Sequence, residues 1–346
     1  MQSILHPIIG PAGPEKADLT GTTSVITGGA LGIGFEVARF FASYGGHVIL
    51  VNRKEEQGDE AIKKIEEEVK EKGGKGSVEW VGCDLGSLKQ VKEVFGGLAN
   101  RLDRLDYLIC SSGINSNQFG LDADGIDRHF GVNALGHYYA INLLYPLLRK
   151  TSARPDVKKG SVRIVFESSE MHRFAPGSED SKSRARGCHF GSEEEITDAG
   201  RELGPIELYA RTKLAMILYS KALRDKVIKK NGDDIYILAV HPGAVNTAMQ
   251  QQWEDAYPGI TGKITKLLTL AGGRDPEQGS YSALYAALSP EVVDNDWNGV
   301  YLSDPGTLGK ETAQGEDLNL ATALWELSER MVKRIVGEDA LESWTK

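Results

Sequence analysis

Short apolar runs alternate with helix-patterned segments along most of the chain. Six of these runs are rich in Val and Ile and are apolar without alternation, which indicates parallel strands that helices cover on both faces. They cover residues 23–29, 47–53, 77–85, 105–113, 161–169 and 234–243. In residues 55–73, Ala61, Ile65 and Val69 recur every four positions on a charged background, as in a helix with one buried face. The pattern therefore predicts one doubly wound α/β domain of the Rossmann type, with a mostly parallel sheet and right-handed crossovers.

The organisation outside the repeating pattern is simple. Residues 1–18 carry two prolines in a short apolar stretch and are interpreted as an N-terminal arm, with the domain covering residues 19–346. A polar stretch, 175–187, lies between two strand–helix units, and we expect a substrate-side insertion over about 170–205. Residues 246–273 combine Trp253 and Tyr257 with an apolar stripe at helical spacing, and two glycines close the segment. This pattern is interpreted as a lid helix beside the substrate, the alternative being a static helix packed on the core.

Composition excludes several classes of protein. The chain of 346 residues has 40 Lys and Arg against 49 Asp and Glu, a formal charge of −9, and has no basic run that would follow a phosphate backbone. Three scattered cysteines are too few for a disulfide framework or a thiolate metal site, so no metal is expected. No window is apolar enough to span a membrane, and a secretory signal is not recognisable at the start. We therefore expect a cytoplasmic protein whose partner is a small molecule and not a nucleic acid.

The stretch "TGGALGIG", residues 27–34, lies where the first strand meets the first helix. Glycines at such a junction allow a tight turn, and they let a pyrophosphate approach backbone N–H groups at the positive end of the helix dipole. A glycine-rich loop alone is weak evidence, because ordinary turns use the same residues. The preceding strand and the following helix favour a dinucleotide site.

The spacing of this loop resembles that of the short-chain dehydrogenase/reductase family, and further motifs of that family follow in order. These are "CDL" at 83–85, "GVNALGHYYAINLLYPLL" from 131, "ESS" at 167–169, "YARTK" at 209–213 and "HPGAVNT" at 241–247. The later segments "DPEQGSYSALYAALSPE" and "GVYLSD" resemble its retinol-dehydrogenase-like and carbonyl-reductase-like branches. Two features depart from the family pattern: "CSSG" at 110–113 replaces Asn-Asn-Ala-Gly, and 39 residues separate Ser169 from Tyr209.

The resemblance implies a catalytic set of Asn133, Ser169, Tyr209 and Lys213. Hydride transfer to a carbonyl builds negative charge on oxygen, which a proton donor must meet. Tyr209 suits that role, and Lys213 shares its helix face at i+4, where a cation is expected to lower the tyrosine pKa. Ser169 would hold the substrate oxygen, and Asn133 would fix the water and backbone that relay protons. The spacing Tyr-x-x-x-Lys by itself usually reflects packing, so the companion motifs support the assignment.

The residues expected to contact the dinucleotide come from the same motifs. They are Thr27, Gly28, Leu31, Gly32, Ile33, Gly34, Asn52, Arg53, Asp84, Leu85, Ser111, Ser112, Gly113, Asn133, Tyr209, Lys213, Pro242, Gly243, Val245 and Thr247. After the second strand the chain has Asn52 and Arg53 where a carboxylate would favour NAD. NADP(H) is therefore expected over NAD(H), unless Arg53 is an ordinary surface cation.

Three functions remain open. The primary hypothesis is an NADP(H)-dependent oxidoreductase interconverting a carbonyl compound, expected to be apolar, and a primary or secondary alcohol. The alternatives are an NAD-dependent dehydrogenase of a lipophilic, retinoid-like or sterol-like alcohol, and a catalytically silent dinucleotide-binding regulatory protein. A monomer is favoured over a homodimer, because the long insertion enters the region through which much of the family pairs. His241 is interpreted as structural, His172 and His189 as solvent-exposed, and the acid Glu167 has no assigned role.

Overall fold

The computed structural model describes residues 13–116, 118–181, 187–197, 199–245 and 274–345. The predicted lid (246–273), with Trp253, Tyr257 and Thr247, lies outside the described residues, as does most of the predicted arm. Residues 13–18 of that arm carry no regular secondary structure.

One eight-stranded sheet organises the chain. Its strands are β1 (Thr23–Thr27), β2 (His47–Asn52), β3 (Ser77–Gly82), β4 (Tyr107–Cys110), β5 (Val162–Glu167), β6 (Ile235–Val240), β7 (Tyr301–Asp304) and β8 (Thr307–Leu308). The order is β3-β2-β1-β4-β5-β6-β7-β8, with every neighbouring pair parallel except β7 and β8. The predicted single Rossmann-type α/β domain is confirmed, and all six predicted strands form. The order reverses between β1 and β4, where open sheets of this kind bind their ligands.

Helices cover both faces of the sheet. Those of the first half are α1 (Gly32–Ser43), α2 (Glu55–Glu71), α3 (Leu88–Arg101), α4 (Arg128–Phe130), a π-helical segment (Gly131–Leu135) and α5 (Gly136–Ser152). In the second half lie a 3-10 turn (Glu170–Phe174), α6 (Glu193–Ile196), a second 3-10 turn (Ala199–Glu202), α7 (Pro205–Leu223), a π-helical segment (Arg224–Ile228), α8 (Lys229–Asn231), α9 (Pro276–Leu288), α10 (Glu291–Asp294), α11 (Ala313–Glu316) and α12 (Leu318–Val336). Across the described ranges, no helix is long and apolar enough to cross a membrane.

Two hydrophobic cores lie on opposite faces of the sheet. Helices α1, α2 and α9 cover one core, and α3, α5, α7 and α12 cover the other. Helix α7 has 15 of its 19 residues buried, so it is a core helix and its apolar residues have no single preferred face. Its first residue is Pro205, which fits the first helical turn, and Glu207 accepts a hydrogen bond from the Gly204 amide. The sequence therefore fixes the start of the helix that carries Tyr209.

The insertion packs against the domain. Cys188, Phe190 and Ile196 are buried in the second core, and the Phe190 ring lies 6.1 Å from that of Phe130.

At the other side of the sheet, β3 is an edge strand with half-buried residues, although continuous apolarity predicted burial on both faces. The short strands β7 and β8 were not predicted, since their apolar runs are too brief to stand out.

Candidate active site

The glycine loop that follows β1 is shaped by close backbone contacts. Gly28 and Gly32 have φ angles of +69° and +58°, which side-chain-bearing residues rarely adopt. A Cβ atom at Gly28 would lie 2.9 Å from the Ser112 amide nitrogen, and one at Gly34 would lie 2.5 Å from the Gly28 carbonyl oxygen. Leu31 precedes the first turn of α1 and makes no side-chain cap, so its side chain does not occupy the N–H groups at the positive end of this helix. The loop fits a dinucleotide pyrophosphate.

Thr27 connects this loop to the end of β4. Its Oγ1 accepts hydrogen bonds from the Ser111 and Ser112 amides at 3.1 Å, and it contacts His137 Nε2 at 2.8 Å. The other ring nitrogen of His137 donates to the Asn133 carbonyl at 3.0 Å. Burial lowers the pKa of His137 to about 4, so the ring is neutral and each nitrogen has one role. The hydrogen bonds between Thr27 and the backbone at Ser112 therefore hold the glycine loop against the end of β4.

The opposite end of the cradle, after β2, is formed by Asn52 and Arg53. The Asn52 side chain accepts from Trp80 Nε1 at 2.5 Å and donates to the Lys54 carbonyl at 3.2 Å, so its amide holds β2 against β3. The Arg53 side chain is 68% exposed, with its guanidinium 3.6 Å from Asp84. Leu85 is buried in the core. Of the residues expected to contact the dinucleotide at this end, Arg53 and Asp84 carry charged side chains.

The catalytic candidates meet at the carboxyl end of β5. Ser169 follows that strand, and its Oγ accepts from the Met171 amide at 3.2 Å. Lys213 Nζ lies 5.3 Å from the centroid of the Tyr209 ring and donates to the Glu167 carbonyl oxygen at 2.6 Å. The neighbouring Ser168 Oγ donates to the Lys213 carbonyl at 2.8 Å. Two backbone-directed hydrogen bonds therefore dock α7 onto the strand end beside Ser169.

Asn133 lies in the π-helical segment before α5. Its side chain accepts from the Ile114 amide at 2.7 Å and donates to the Ile114 carbonyl at 2.9 Å and to Thr212 Oγ1 at 3.1 Å. Thr212 Oγ1 in turn donates to the Tyr209 carbonyl at 2.7 Å. Asn133 thus joins the chain after β4 to the helix of Tyr209. Its backbone carbonyl is the one that accepts from His137.

The electrostatics of the pair differ from the expectation that Lys213 lowers the tyrosine pKa. Burial raises the pKa of Tyr209 above its ordinary value, and the Glu167 carboxylate raises it further. Burial also lowers the pKa of Lys213, although Glu167 acts in the opposite direction. Desolvation dominates because Lys213 is buried and Tyr209 is half-buried. In this state Tyr209 is a protonated phenol, the form needed to donate a proton.

Comparison with known proteins shows the family to which the chain belongs. The family model described as short chain dehydrogenase matches residues 22–176. A short chain dehydrogenase/reductase of Colletotrichum higginsianum is 30% identical over 334 residues, covering 94% of this chain and 77% of its own length. The chain belongs to the short-chain dehydrogenase/reductase family. Within that family, the relatives agree with the retinol-dehydrogenase-like branch that the motifs indicated.

Further proteins share part of the sequence or the fold. Polyprenol dehydrogenase of Danio rerio is 31% identical and covers 91% of this chain and 88% of its own. An uncharacterised protein of Mycobacterium paratuberculosis has a TM-score of 0.64 and 25% identity, covering 93% of this chain and 98% of its own. L-sorbose reductase of Gluconobacter frateurii, solved with NADPH and L-sorbose, has a TM-score of 0.61 at 20% identity, covering 86% and 100% of the two chains. The last likeness shows the fold alone.

The family's Pro-Gly turn after β6 is held by a residue that sequence reasoning missed. Arg274 donates to the Pro242 carbonyl at 3.2 Å and to Asp304 at 2.6 Å, and its amide donates to the Ala244 carbonyl at 2.7 Å. Gly243 has a φ of +88°, and Val245 is buried. Arg274 follows the predicted lid at a long sequence distance from the turn, so no local pattern could have identified it.

In this short-chain dehydrogenase/reductase, the histidines His241, His189 and His172 differ in how far they are exposed to solvent. Burial lowers the pKa of His241 to about 4, and the ring accepts from the Glu170 amide at 3.4 Å, consistent with a structural role. His189 is exposed, as predicted. The expected exposure of His172 is wrong: the ring is fully buried and donates to the Ser169 carbonyl at 2.7 Å. The 3-10 turn after β5 folds His172 back under Ser169, an arrangement that polar surroundings in the sequence did not indicate.

A buried ion pair supports the helix of Tyr209. Arg211 Nη2 lies 3.0 Å from Asp127 Oδ2, with the two side chains 1% and 0% exposed. Arg211 Nη1 donates to the Glu195 carbonyl of the insertion at 2.9 Å, and His129 bonds to the other Asp127 oxygen. Burial by itself would raise the pKa of Asp127, but the His129 hydrogen bond and the Arg211 charge lower it below its ordinary value. This ion pair was also missed, because Arg211 appeared to be a spacer within Tyr-x-x-x-Lys.

Proposed function

We propose that the protein is an NADP(H)-dependent oxidoreductase that interconverts a carbonyl compound and a primary or secondary alcohol. The observation that carries the proposal is the docking of Lys213 beside Tyr209. The ammonium lies over the phenol ring and is fixed by the Glu167 carbonyl, next to Ser169 at the end of β5. Tyr209 is the general acid in reduction and the general base in oxidation. A silent binding protein would not need this constellation together with the glycine cradle.

Each residue has a distinct task in the proposed reaction. The bound cofactor supplies or accepts the hydride. The cradle around Gly28 and the N-terminus of α1 binds its pyrophosphate, and Lys213 binds the nicotinamide ribose. Ser169 donates a hydrogen bond to the substrate oxygen, while Tyr209 gives that oxygen its proton as negative charge develops there. Asn133 keeps the helix of Tyr209 in register with the chain after β4.

The preference for NADP(H) rests on Arg53. Its guanidinium is exposed at the end of β2, where the adenosine 2′-phosphate of NADPH is expected, and the nearby Asp84 orients it. A guanidinium holds a phosphate through two parallel hydrogen bonds, which NADH lacks the group to accept.

Replacing Arg53 by alanine should weaken NADPH binding by about 10- to 100-fold and leave NADH binding nearly unchanged, because a hydrogen bond to a charged group contributes about 1.5–3 kcal/mol. Titration of both cofactors by fluorescence measures this. Lys54→Ala, at the next residue, is the matched control and should change neither affinity. Equal losses for NADPH and NADH would show that Arg53 does not recognise the phosphate.

A panel of aldehydes, ketones and alcohols, followed at the nicotinamide absorbance with each cofactor, tests the function itself. We expect reduction of bulky apolar carbonyl compounds with NADPH. The second candidate is NAD-dependent oxidation of a lipophilic alcohol, favoured by the relative named polyprenol dehydrogenase in Danio rerio. Turnover with NAD and long-chain alcohols would support that candidate. Cofactor binding without turnover of any compound would identify a regulatory protein.

We also propose a monomeric state. Much of the family pairs through α7 and α5, and in this chain both helices are largely covered by the chain itself. Helix α12 packs along α7, while Tyr139 and Asn142 of α5 donate to the carbonyls of Ala340 and Glu342. Light scattering at micromolar concentration should give the mass of one chain, 37.6 kDa. A stable dimer would contradict the proposal.

A cytoplasmic location is also proposed, consistent with three buried free cysteines.

A further inference from the structure

Glu167 has a buried carboxyl group that the proposed function does not use. It ends β5, two residues before Ser169, and is only 5% exposed. Its backbone carbonyl holds the Lys213 ammonium, yet neither of its carboxyl oxygens has a hydrogen-bond partner among the described residues. A buried carboxylate without hydrogen bonds is strongly disfavoured unless a counter-charge lies close by. The group is therefore either neutral or dependent on a neighbouring cation.

That cation is Lys213. Burial raises the pKa of Glu167, and the charge of Lys213 lowers it. In turn, burial lowers the pKa of Lys213, and the charge of Glu167 raises it. Each group therefore supports the ionised form of the other, and the two titrate together rather than separately.

We propose that Glu167 is a positioning residue of this site, whose carboxyl group sets the charge that Lys213 presents to Tyr209. The proposal rests on the proposed oxidoreductase function. When Glu167 is protonated and Lys213 is cationic, the pair carries a net charge of +1, which favours the phenolate form of Tyr209. When Glu167 loses its proton, the pair becomes neutral and the phenol of Tyr209 keeps its proton. Glu167 thereby favours the proton-donating form of Tyr209 and so the direction of carbonyl reduction.

Three other ionisable groups on the neighbouring elements do not take this role. His137 on α5 lies near enough for the charge of Lys213 to act on it, but burial keeps its ring neutral near pH 7. Cys110 ends the adjacent strand β4, and burial raises its pKa well above the ordinary range. His241 follows β6 and is also neutral near pH 7. Of these four groups, Glu167 is the one whose charge acts on both Lys213 and Tyr209.

The test is the pH profile of carbonyl reduction by the full chain saturated with NADPH. Activity requires protonated Tyr209, so it falls on the alkaline side as that proton is lost. Glu167→Gln keeps the shape of the side chain and removes the negative charge, which lowers the proton affinity of both Tyr209 and Lys213. The alkaline limb should therefore move to lower pH, by about one to two pH units. A limb that coincides with that of the native protein would overturn the proposal.

Two controls separate charge from structure. Glu167→Asp keeps the charge in a shorter side chain, so its limb should stay near the native position even if turnover falls. Glu311→Gln removes a carboxylate that pairs with Lys221 at 2.9 Å. Lys221 lies farther along α7 than Lys213, so this variant should leave the alkaline limb in place. A shift of equal size in Glu311→Gln would mean that any lost carboxylate moves the profile, and would count against Glu167.

A measurement without turnover keeps this proposal distinct from the proposed function. The infrared absorption of a protonated buried carboxyl group, absent in Glu167→Gln, should titrate in the native protein. In Lys213→Met its midpoint should move to higher pH by about one unit or more, because the supporting cation is gone. If no carbonyl compound is reduced, the function fails while this shift still supports the coupling. An unchanged midpoint would overturn the coupling whether or not the protein is an enzyme.

Discussion

Replacing Tyr209 by phenylalanine should lower turnover by about 10²- to 10⁴-fold, the usual contribution of a general acid, while the dissociation constant of NADPH stays nearly unchanged. The substitution removes only the phenolic hydroxyl, so the ring remains above Lys213 and α7 keeps its packing. Initial rates of carbonyl reduction at saturating NADPH, together with fluorescence titration of the cofactor, measure both quantities.

Tyr219→Phe is the matched control for this experiment. Tyr219 lies on the same helix, and its hydroxyl shares a hydrogen bond of 2.6 Å with Ser328, away from the candidate site. Its loss should cost about 1 kcal/mol of stability and leave turnover unchanged. If Tyr209→Phe retained most of its turnover, or lost no more than Tyr219→Phe, the assignment of the proton donor would be wrong.

Replacing Asp127 by asparagine should lower the free energy of unfolding by about 3–5 kcal/mol, because it leaves the buried Arg211 guanidinium without its counter-charge. Urea unfolding near pH 7 measures this as a lower midpoint. Ionised Asp127 has a depressed pKa in the folded protein, so its stabilisation is present above the ordinary carboxyl pKa of about 4 and is lost as the pH falls through the folded value. The difference between native and variant protein should therefore shrink in acid.

Two comparisons test whether the uncompensated charge is the cause. Asp156→Asn breaks an exposed ion pair with Arg154 and should leave the unfolding midpoint in place. The double variant Asp127→Asn with Arg211→Met removes the stranded charge and should be more stable than Asp127→Asn alone. A double variant that is less stable by the sum of both single losses would show that the pair acts as two independent residues.

Much of the fold could be predicted from apolar periodicity. All six predicted strands form, and their ends lie within a few residues of the predicted bounds, because continuous Val- and Ile-rich runs have few alternatives to burial in a parallel sheet. The short strands β7 and β8 escaped notice because only a few residues pair there, and the edge strand β3 proved half buried. These departures follow from where a strand lies in the sheet, which its own residues do not specify.

The candidate site was predictable where spacing carries the information. Gly28 and Gly34 mark the cradle through their position between strand and helix, and Tyr209 and Lys213 mark the chemistry through their separation of one helical turn. Their roles in binding and catalysis stay predictions. Asp127, His137 and Arg274 were not found, because each acts on a residue far along the chain or on a backbone carbonyl that no side-chain motif records.

The sequence by itself determined the alternation of the first six strands with helices, and it predicts the glycine cradle and the residues that transfer a proton, since each depends on local periodicity or on a few neighbouring positions. Only the tertiary structure decided the charge state of those residues. Burial and the Glu167 carboxylate raise the pKa of Tyr209, opposite to what the adjacent Lys213 in the sequence suggested. The physical reason is that the energy of a charge depends on how far water is excluded and on which other charges the fold brings near, and both are properties of the packed chain.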